Sequence, residues 1–226
     1  MNKFVRNIWD SFPDKIQFAV RKGIGKMSFI TDAIYAHDQI YDDDYYQFVD
    51  EHAQQSAPII ANSILAAFDP STVLDVGCGS GAMMQELEKR GVAVKGLEYS
   101  KAALQYCQKR SLDVLKFDLE GDKSLSLASG FDVVISLEVA EHLPEQAADR
   151  YVNLLCKNAN TIIFTAATPG QGETNHVNEQ PHSYWIQKFA AHDYNFLRLK
   201  SIDWRNSWEK KGTAEWYYSN LMIFKK

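Results

Sequence analysis

The chain has 226 residues, 46% of them hydrophobic and 12% aromatic, enough to bury a full core and suited to one domain with an appendage. Its net charge of −5 gives no general attraction to nucleic acid. Three widely spaced cysteines, Cys78, Cys107 and Cys156, exclude a disulfide framework or a zinc knuckle, and no stretch is apolar for long enough to read as a signal peptide or membrane span, so a reducing, cytoplasmic setting is expected.

Residues 1–54 read as an N-terminal helical cap segment ahead of a domain over 55–226. Residues 1–26 hold six basic side chains against Asp10 and Asp14, a net +4, interleaved with Phe4, Trp9 and Phe12. Residues 32–51 then carry seven acidic side chains and no Lys or Arg. The basic arm is expected to cover the domain's edge, with weak membrane-surface contact or an acidic partner as alternatives. Ile59, Ile60, Ile64 and Leu65 have helical spacing within 50–67, a segment that stops at F-D-P-S. A strand over 72–76, a helix over 80–89 and a strand over 92–98 follow. Ser100 is the N-cap of a helix reaching residue 109, and the next strand covers 114–117.

The apolar run 131–137 suits a strand buried on both faces. A helix over 145–157 and a strand over 161–166 come next. The long polar loop 167–181 leaves that strand at its carboxyl end and is a candidate substrate lid. A helix over 182–191 precedes strands expected at 196–202 and 216–224. Alternating β and α elements imply a doubly wound, Rossmann-like parallel sheet whose ligands sit at the carboxyl ends of its strands.

The richest motif is V-L-D-V-G-C-G-S-G, residues 73–81, an apolar strand followed by glycines at alternate positions. Glycine serves where the backbone turns with positive φ or approaches a ligand closely. Gly77, Gly79 and Ala82 satisfy the dinucleotide pattern, with Glu98 at the distance of a ribose-binding acid. Asp75 opposes that reading, because its carboxylate would face a pyrophosphate. S-adenosylmethionine has no phosphate, and its ammonium and sulfonium suit nearby carboxylates.

On these residues the chain resembles the class I S-adenosylmethionine-dependent methyltransferases, from about residue 55 onward. The resemblance implies a seven-stranded sheet whose last strand is antiparallel, the strands at 196–202 and 216–224 being the sixth and seventh. It implies that Asp75, Gly77, Cys78, Gly79 and Gly81 wrap the methionine end of the cofactor. Glu98 would bind the ribose hydroxyls, with Tyr99 beside it, and Asp118 the adenine amino group, with Leu119 and Leu137 flanking. Tyr46, from the segment before the domain, is a further candidate for the cofactor side.

F-D-V-V-I-S-L-E-V-A-E-H-L-P, residues 131–144, carries the candidate chemistry. If this stretch opens a helix, Glu138, Glu141 and His142 share one face, where they would bind a divalent metal or leave His142 as a general base. The same E-x-x-E-H resembles ubiquinone-biosynthesis O-methyltransferases and small-RNA 2′-O-methyltransferases, which implies a magnesium-like ion polarising the acceptor. His176 or His182 would complete the set. The expected function is methylation of an oxygen on a small molecule: phenolic, sugar or secondary metabolite. An RNA 2′-O-methyltransferase and a non-catalytic cofactor-binding partner subunit are the alternatives. Tyr41, Tyr45, Tyr184, Trp185, Trp216, Tyr217 and Tyr218 are candidate pocket walls. Acceptor identity and oligomeric state are not written in the sequence.

Overall fold

The computed structural model describes residues 43–121, 127, 130–172 and 175–226. The basic arm over 1–26 and Tyr41 lie outside the described residues. Five strands run parallel: β1 (Thr72–Val76), β2 (Ala93–Glu98), β3 (Val114–Lys116), β4 (Val133–Leu137) and β5 (Thr161–Thr165). Two more, β6 (Asn195–Phe196) and β7 (Met222–Lys225), complete the sheet, with β7 antiparallel to both β5 and β6. The order across it is β3-β2-β1-β4-β5-β7-β6. The chain thus forms the seven-stranded Rossmann-like sheet with a reversed last strand expected from the sequence.

Helices cover both faces, and the strands feed both layers because alternate side chains point to opposite sides. Leu74, Val76, Ile162 and Phe164 pack towards Tyr151, Val152 and Leu155 of α4 (Ala148–Asn158) and towards Trp185 and Phe189 of α5 (His182–Ala190). On the opposite face Val73, Val133 and Ile163 meet Ile60 and Ile64 of α1 (Asp43–Phe68) and Met84 and Leu87 of α2 (Ala82–Glu88). Ala57, Ile60, Ala61 and Ile64 are all at most 2% exposed. Their spacing is one helical stripe, and burying each isoleucine contributes about 1.5–3 kcal/mol. The boundary expected between residues 54 and 55 falls inside α1, which runs unbroken from residue 43. Ser100 caps α3 (Lys101–Lys109) as its sequence predicts, accepting a hydrogen bond from Ala103 N–H at 3.4 Å. No helix among the described residues is long and apolar enough to cross a membrane.

Two expected strands are corrected. The segment 196–202 contributes only the two residues of β6 and then turns into α6 (Arg198–Lys210). Ser201, Trp204 and Trp208 are buried at helical spacing, whereas Leu199 is 83% exposed, so the apparent alternation in L-R-L-K does not describe a buried face. The segment 216–224 splits into α7 (Glu215–Asn220) and β7. The helical face expected for E-x-x-E-H is also absent. Glu138 turns at φ 56° directly after β4, and a single 3₁₀ turn covers Ala140–His142.

Candidate active site

The glycine loop begins where β1 ends. Gly77 and Cys78 N–H both donate to Leu97 O of β2, at 2.8 and 3.1 Å, which bends the chain across the ends of two strands. Gly77 has φ 74°, and a Cβ there would come within 2.5 Å of Val139 Cγ2, so only glycine fits. Beneath the loop, Cys107 Sγ donates to Gly79 O at 3.2 Å. The Cys78 thiol, hydrogen-bonded with that of Cys107 and buried, lies well above the usual thiol range, as suits an inert filler.

Two acids line the loop. Asp75 is 3% exposed, and burial, reinforced by the charge of Glu98, pushes its carboxyl up to about 8. Glu98 accepts from Gly79, Tyr99 and Ser100 N–H at 2.7–2.8 Å, yet burial still raises it above the carboxylate norm. Asp118, beyond β3, is exposed and accepts from Glu120 N–H at 2.9 Å. Leu119 and Leu137 are half-buried beside these strand ends, and Tyr99 is 40% exposed. The expected cofactor residues therefore lie along the carboxyl ends of β1, β2, β3 and β4.

Helix α1 is strapped to the same loop. Tyr46 is buried, 3.9 Å from where a Cβ on Gly79 would sit, and packs edge-on against Tyr45. Asp50 accepts from Arg110 at 2.8 Å and from Gln54 at 2.6 Å, while Arg110 also donates to Ser80 O at 2.5 Å. Burial opposes ionisation of Asp50, but these donors outweigh it and hold the carboxyl below its ordinary value. Neither Asp50 nor Arg110 carries a local sequence signal, because the pair meets across sixty positions.

At the end of β4, Glu138 N–H donates to Thr165 Oγ1 at 2.8 Å, and its carboxyl group accepts from Asn220 Nδ2 at 3.1 Å on both oxygens. Burial and the neighbouring Glu141 push Glu138 well upward. Glu141 is fully buried, and burial raises it too; Oε1 accepts from Ala167 N–H at 3.2 Å, and its carboxyl group shares a hydrogen bond with that of Glu138. The His142 ring donates from Nδ1 to Asn175 O at 3.2 Å. Its centroid is 5.0 Å from that of His176, whose Nδ1 donates to Glu179 Oε1 at 2.9 Å. Ligand atoms of Glu141, His142 and His176 all lie within 4.8 Å of one another.

Only part of the expected set, Glu141 and His142 with His176, lies in this close group. Glu138 is held by Asn220 and is not part of this close group, and His182 stands apart, with Nδ1 3.4 Å from Arg205. Burial, reinforced by the Arg205 charge, lowers His182 to about 4, so its imidazole is neutral. His176 takes the third place. A buried carboxyl group beside two imidazoles is the kind of donor set a divalent cation takes, and the Glu179 carboxylate lies behind His176.

Sequence reasoning did not find Glu179 or Asn220. Glu179 also accepts from Gly170 and Gly172 N–H, at 2.8 and 2.6 Å, and so shapes the loop after β5. Asn220 Nδ2 additionally donates to Gln171 Oε1 at 3.1 Å. A cavity of about 580 Å³ opens between this loop and α7, lined by Thr168, Gln171, Glu215, Trp216, Ser219 and Asn220 among others. Tyr217, from the same helix, packs instead against the core. Burial pushes its phenol up, and the charges of Glu138 and Asp75 add to the shift.

Residues 74–163 match a family described as a methyltransferase domain. The chain is 30% identical over 160 residues to a ubiquinone biosynthesis O-methyltransferase of Alkalilimnicola ehrlichii, across 62% of this chain and 60% of the relative. It is 28% identical over 161 residues to the protein of the same name from Nitrosococcus oceani, across 63% of each. The chain spans less than two thirds of the length of these relatives. Among solved structures, magnesium protoporphyrin IX methyltransferase from Synechocystis, with S-adenosylhomocysteine bound, superposes with a TM-score of 0.60 at 18% identity, over 93% of this chain and 99% of that one. At that identity the likeness is one of fold.

Proposed function

We propose that this chain, which carries a class I S-adenosylmethionine-dependent methyltransferase domain, moves the methyl group of S-adenosylmethionine to an oxygen of a small-molecule acceptor. The observation that carries the reading is the convergence, at the carboxyl ends of β1, β2 and β4, of a glycine loop, two buried acids and the group of Glu141, His142 and His176, with Glu138 beside it. In this reading the loop from Asp75 to Gly81 holds the methionine end, with Tyr46 against it. Glu98 takes the ribose hydroxyls, Tyr99 lies beside them, and Asp118 with Leu119 and Leu137 receives the adenine.

Methyl transfer from a sulfonium is an in-line displacement, so alignment supplies most of the acceleration and an acceptor hydroxyl needs its proton removed. With Nδ1–H given to Asn175 O, Nε2 is the His142 nitrogen that faces the chemistry, as the proton acceptor where no cation is held or, alternatively, as a cation ligand. Glu141, His142 and His176 are the residues that would hold a divalent cation; bound there, the ion would polarise the acceptor oxygen and lower its pKa. Oxygen acceptors of relatives named O-methyltransferase support this choice of atom.

The test is incubation with methyl-labelled S-adenosylmethionine and a cell extract, followed by separation of small molecules, RNA and protein. Label in the small-molecule fraction is expected. Label confined to RNA or protein overturns the reading. Full activity after EDTA treatment would remove the cation from it.

A further inference from the structure

The cavity between the loop after β5 and α7 adjoins the cluster at β4 through Asn220, whose amide touches both Glu138 and the lid residue Gln171. Its volume, about 580 Å³, suits a single small organic ligand. Trp216 offers it a ring wall, itself backed by His52 of α1 at 5.3 Å between centroids. Hydrogen-bonding groups come from Thr168, Gln171, Ser219 and Asn220.

The charge of this wall is one-sided. Among the described residues no Lys or Arg lines the cavity, and Glu215 stands exposed on the rim. Loop amides and helix starts are the usual substitutes for a cation in binding anions, and both are already answered here by carboxylates of the protein. Glu179 takes the N–H groups of Gly170 and Gly172, and Glu215 occupies the first turn of α7. A carboxylate or phosphate on the ligand would meet no counter-charge from the described lining, and the paired loop amides already given to Glu179, against the field of Glu215.

We propose that this cavity is the acceptor subsite and that it selects a hydroxylated ring whose distal portion is neutral or carries an amine, and rejects one bearing a carboxylate or phosphate. The inference rests on the methyltransferase reading for the word acceptor; the charge preference follows from the cavity itself. Stacking on Trp216 holds the ring, Asn220 and Gln171 set its orientation, and Glu215 sorts the substituent that faces the opening.

The test uses the full chain with S-adenosylhomocysteine and three probes sharing one ring: catechol, dopamine and 3,4-dihydroxybenzoate, titrated by ligand-observed NMR. Dopamine and catechol are expected to bind at least about tenfold tighter than the benzoate. Glu215→Lys, a change at an exposed rim position, is expected to shrink that preference about tenfold or reverse it, and Trp216→Ala to weaken all three together. Equal or tighter binding of the benzoate, a preference untouched by Glu215→Lys, or no binding by any probe overturns the proposal. S-Adenosylhomocysteine binding, followed in the same samples, separates the two ideas. Its loss with the probe order intact would remove the methyltransferase reading and leave the charge selection standing.

Discussion

Asp75 makes the sharpest residue-scale prediction, because its carboxyl is buried beside the acid Glu98 and stands near 8, not near 3.8. A raised acid binds more protons folded than unfolded, so the stability it contributes is fully present below about 4 and is lost as pH rises towards 8. Thermal melts of the cofactor-free protein should therefore fall between pH 5 and 8, and Asp75→Asn should flatten that slope; identical slopes would show that Asp75 ionises normally. A cofactor ammonium beside Asp75 would favour its charged form, so S-adenosylhomocysteine affinity should rise over pH 6 to 8 in the native chain and lose that trend in Asp75→Asn. Glu179 is the second residue to test. Replacing it by Ala removes the acceptor that orients His176, which should weaken manganese binding, read by calorimetry, about 10- to 100-fold, with Glu179→Gln retaining part of it. Undiminished affinity in Glu179→Ala would mean that His176 is not held through Glu179. None of this was legible in the sequence at Glu179, whose three partners are all loop groups: two glycine amides and a histidine.

At the scale of elements, legibility followed burial pattern. β1, β4 and β5 announce themselves as short, largely apolar runs, β2 by its place between two helices, and Ser100 marks the start of α3 by its capping chemistry. After residue 195 that signal fails. Arg198–Lys210 mixes apolar and charged residues so evenly that a period of two and a period of 3.6 compete, and tertiary packing decides for the helix. Trp208, fully buried with its Nε1–H given to Ser63 at 2.9 Å, should cost about 3–5 kcal/mol when replaced by Ala, while Leu199→Lys should stay within about 0.5 kcal/mol. A strand would reverse neither residue's face in isolation, but it could not bury Ser201, Trp204 and Trp208 together; urea titration of both variants decides. The glycine loop was legible from its residue types, whereas its strap from α1 was not. Asp50→Ala and Arg110→Ala, each removing half of a pair only 10–13% exposed, should each cost about 1–3 kcal/mol. A double-mutant cycle should show coupling above about 1 kcal/mol, and additive losses would mean that the strap is not an interaction.

For the molecule as a whole, the fold was readable because β and α runs alternate, and the site was readable only where it lies on strand ends. Glu98 and Glu138 end or directly follow strands, so the sheet's own logic located them. Gln171 arrives from the loop after β5, and Asn220 and Trp216 from a six-residue helix that the reversal of β7 places at the same end of the sheet as β4. That reversal has a consequence for how the protein is made. β7, which follows the other six strands in the sequence, lies between β5 and β6, and among the described residues β6 pairs with β7 alone. A ribosome that has delivered residue 210 has therefore released a half-sheet whose β5 edge is bare and ready to pair with a stranger. Nascent chains stalled before residue 222 should be chaperone clients, and a separately supplied peptide covering 213–226 should rescue them by filling the gap as the missing stave of a barrel is slid home.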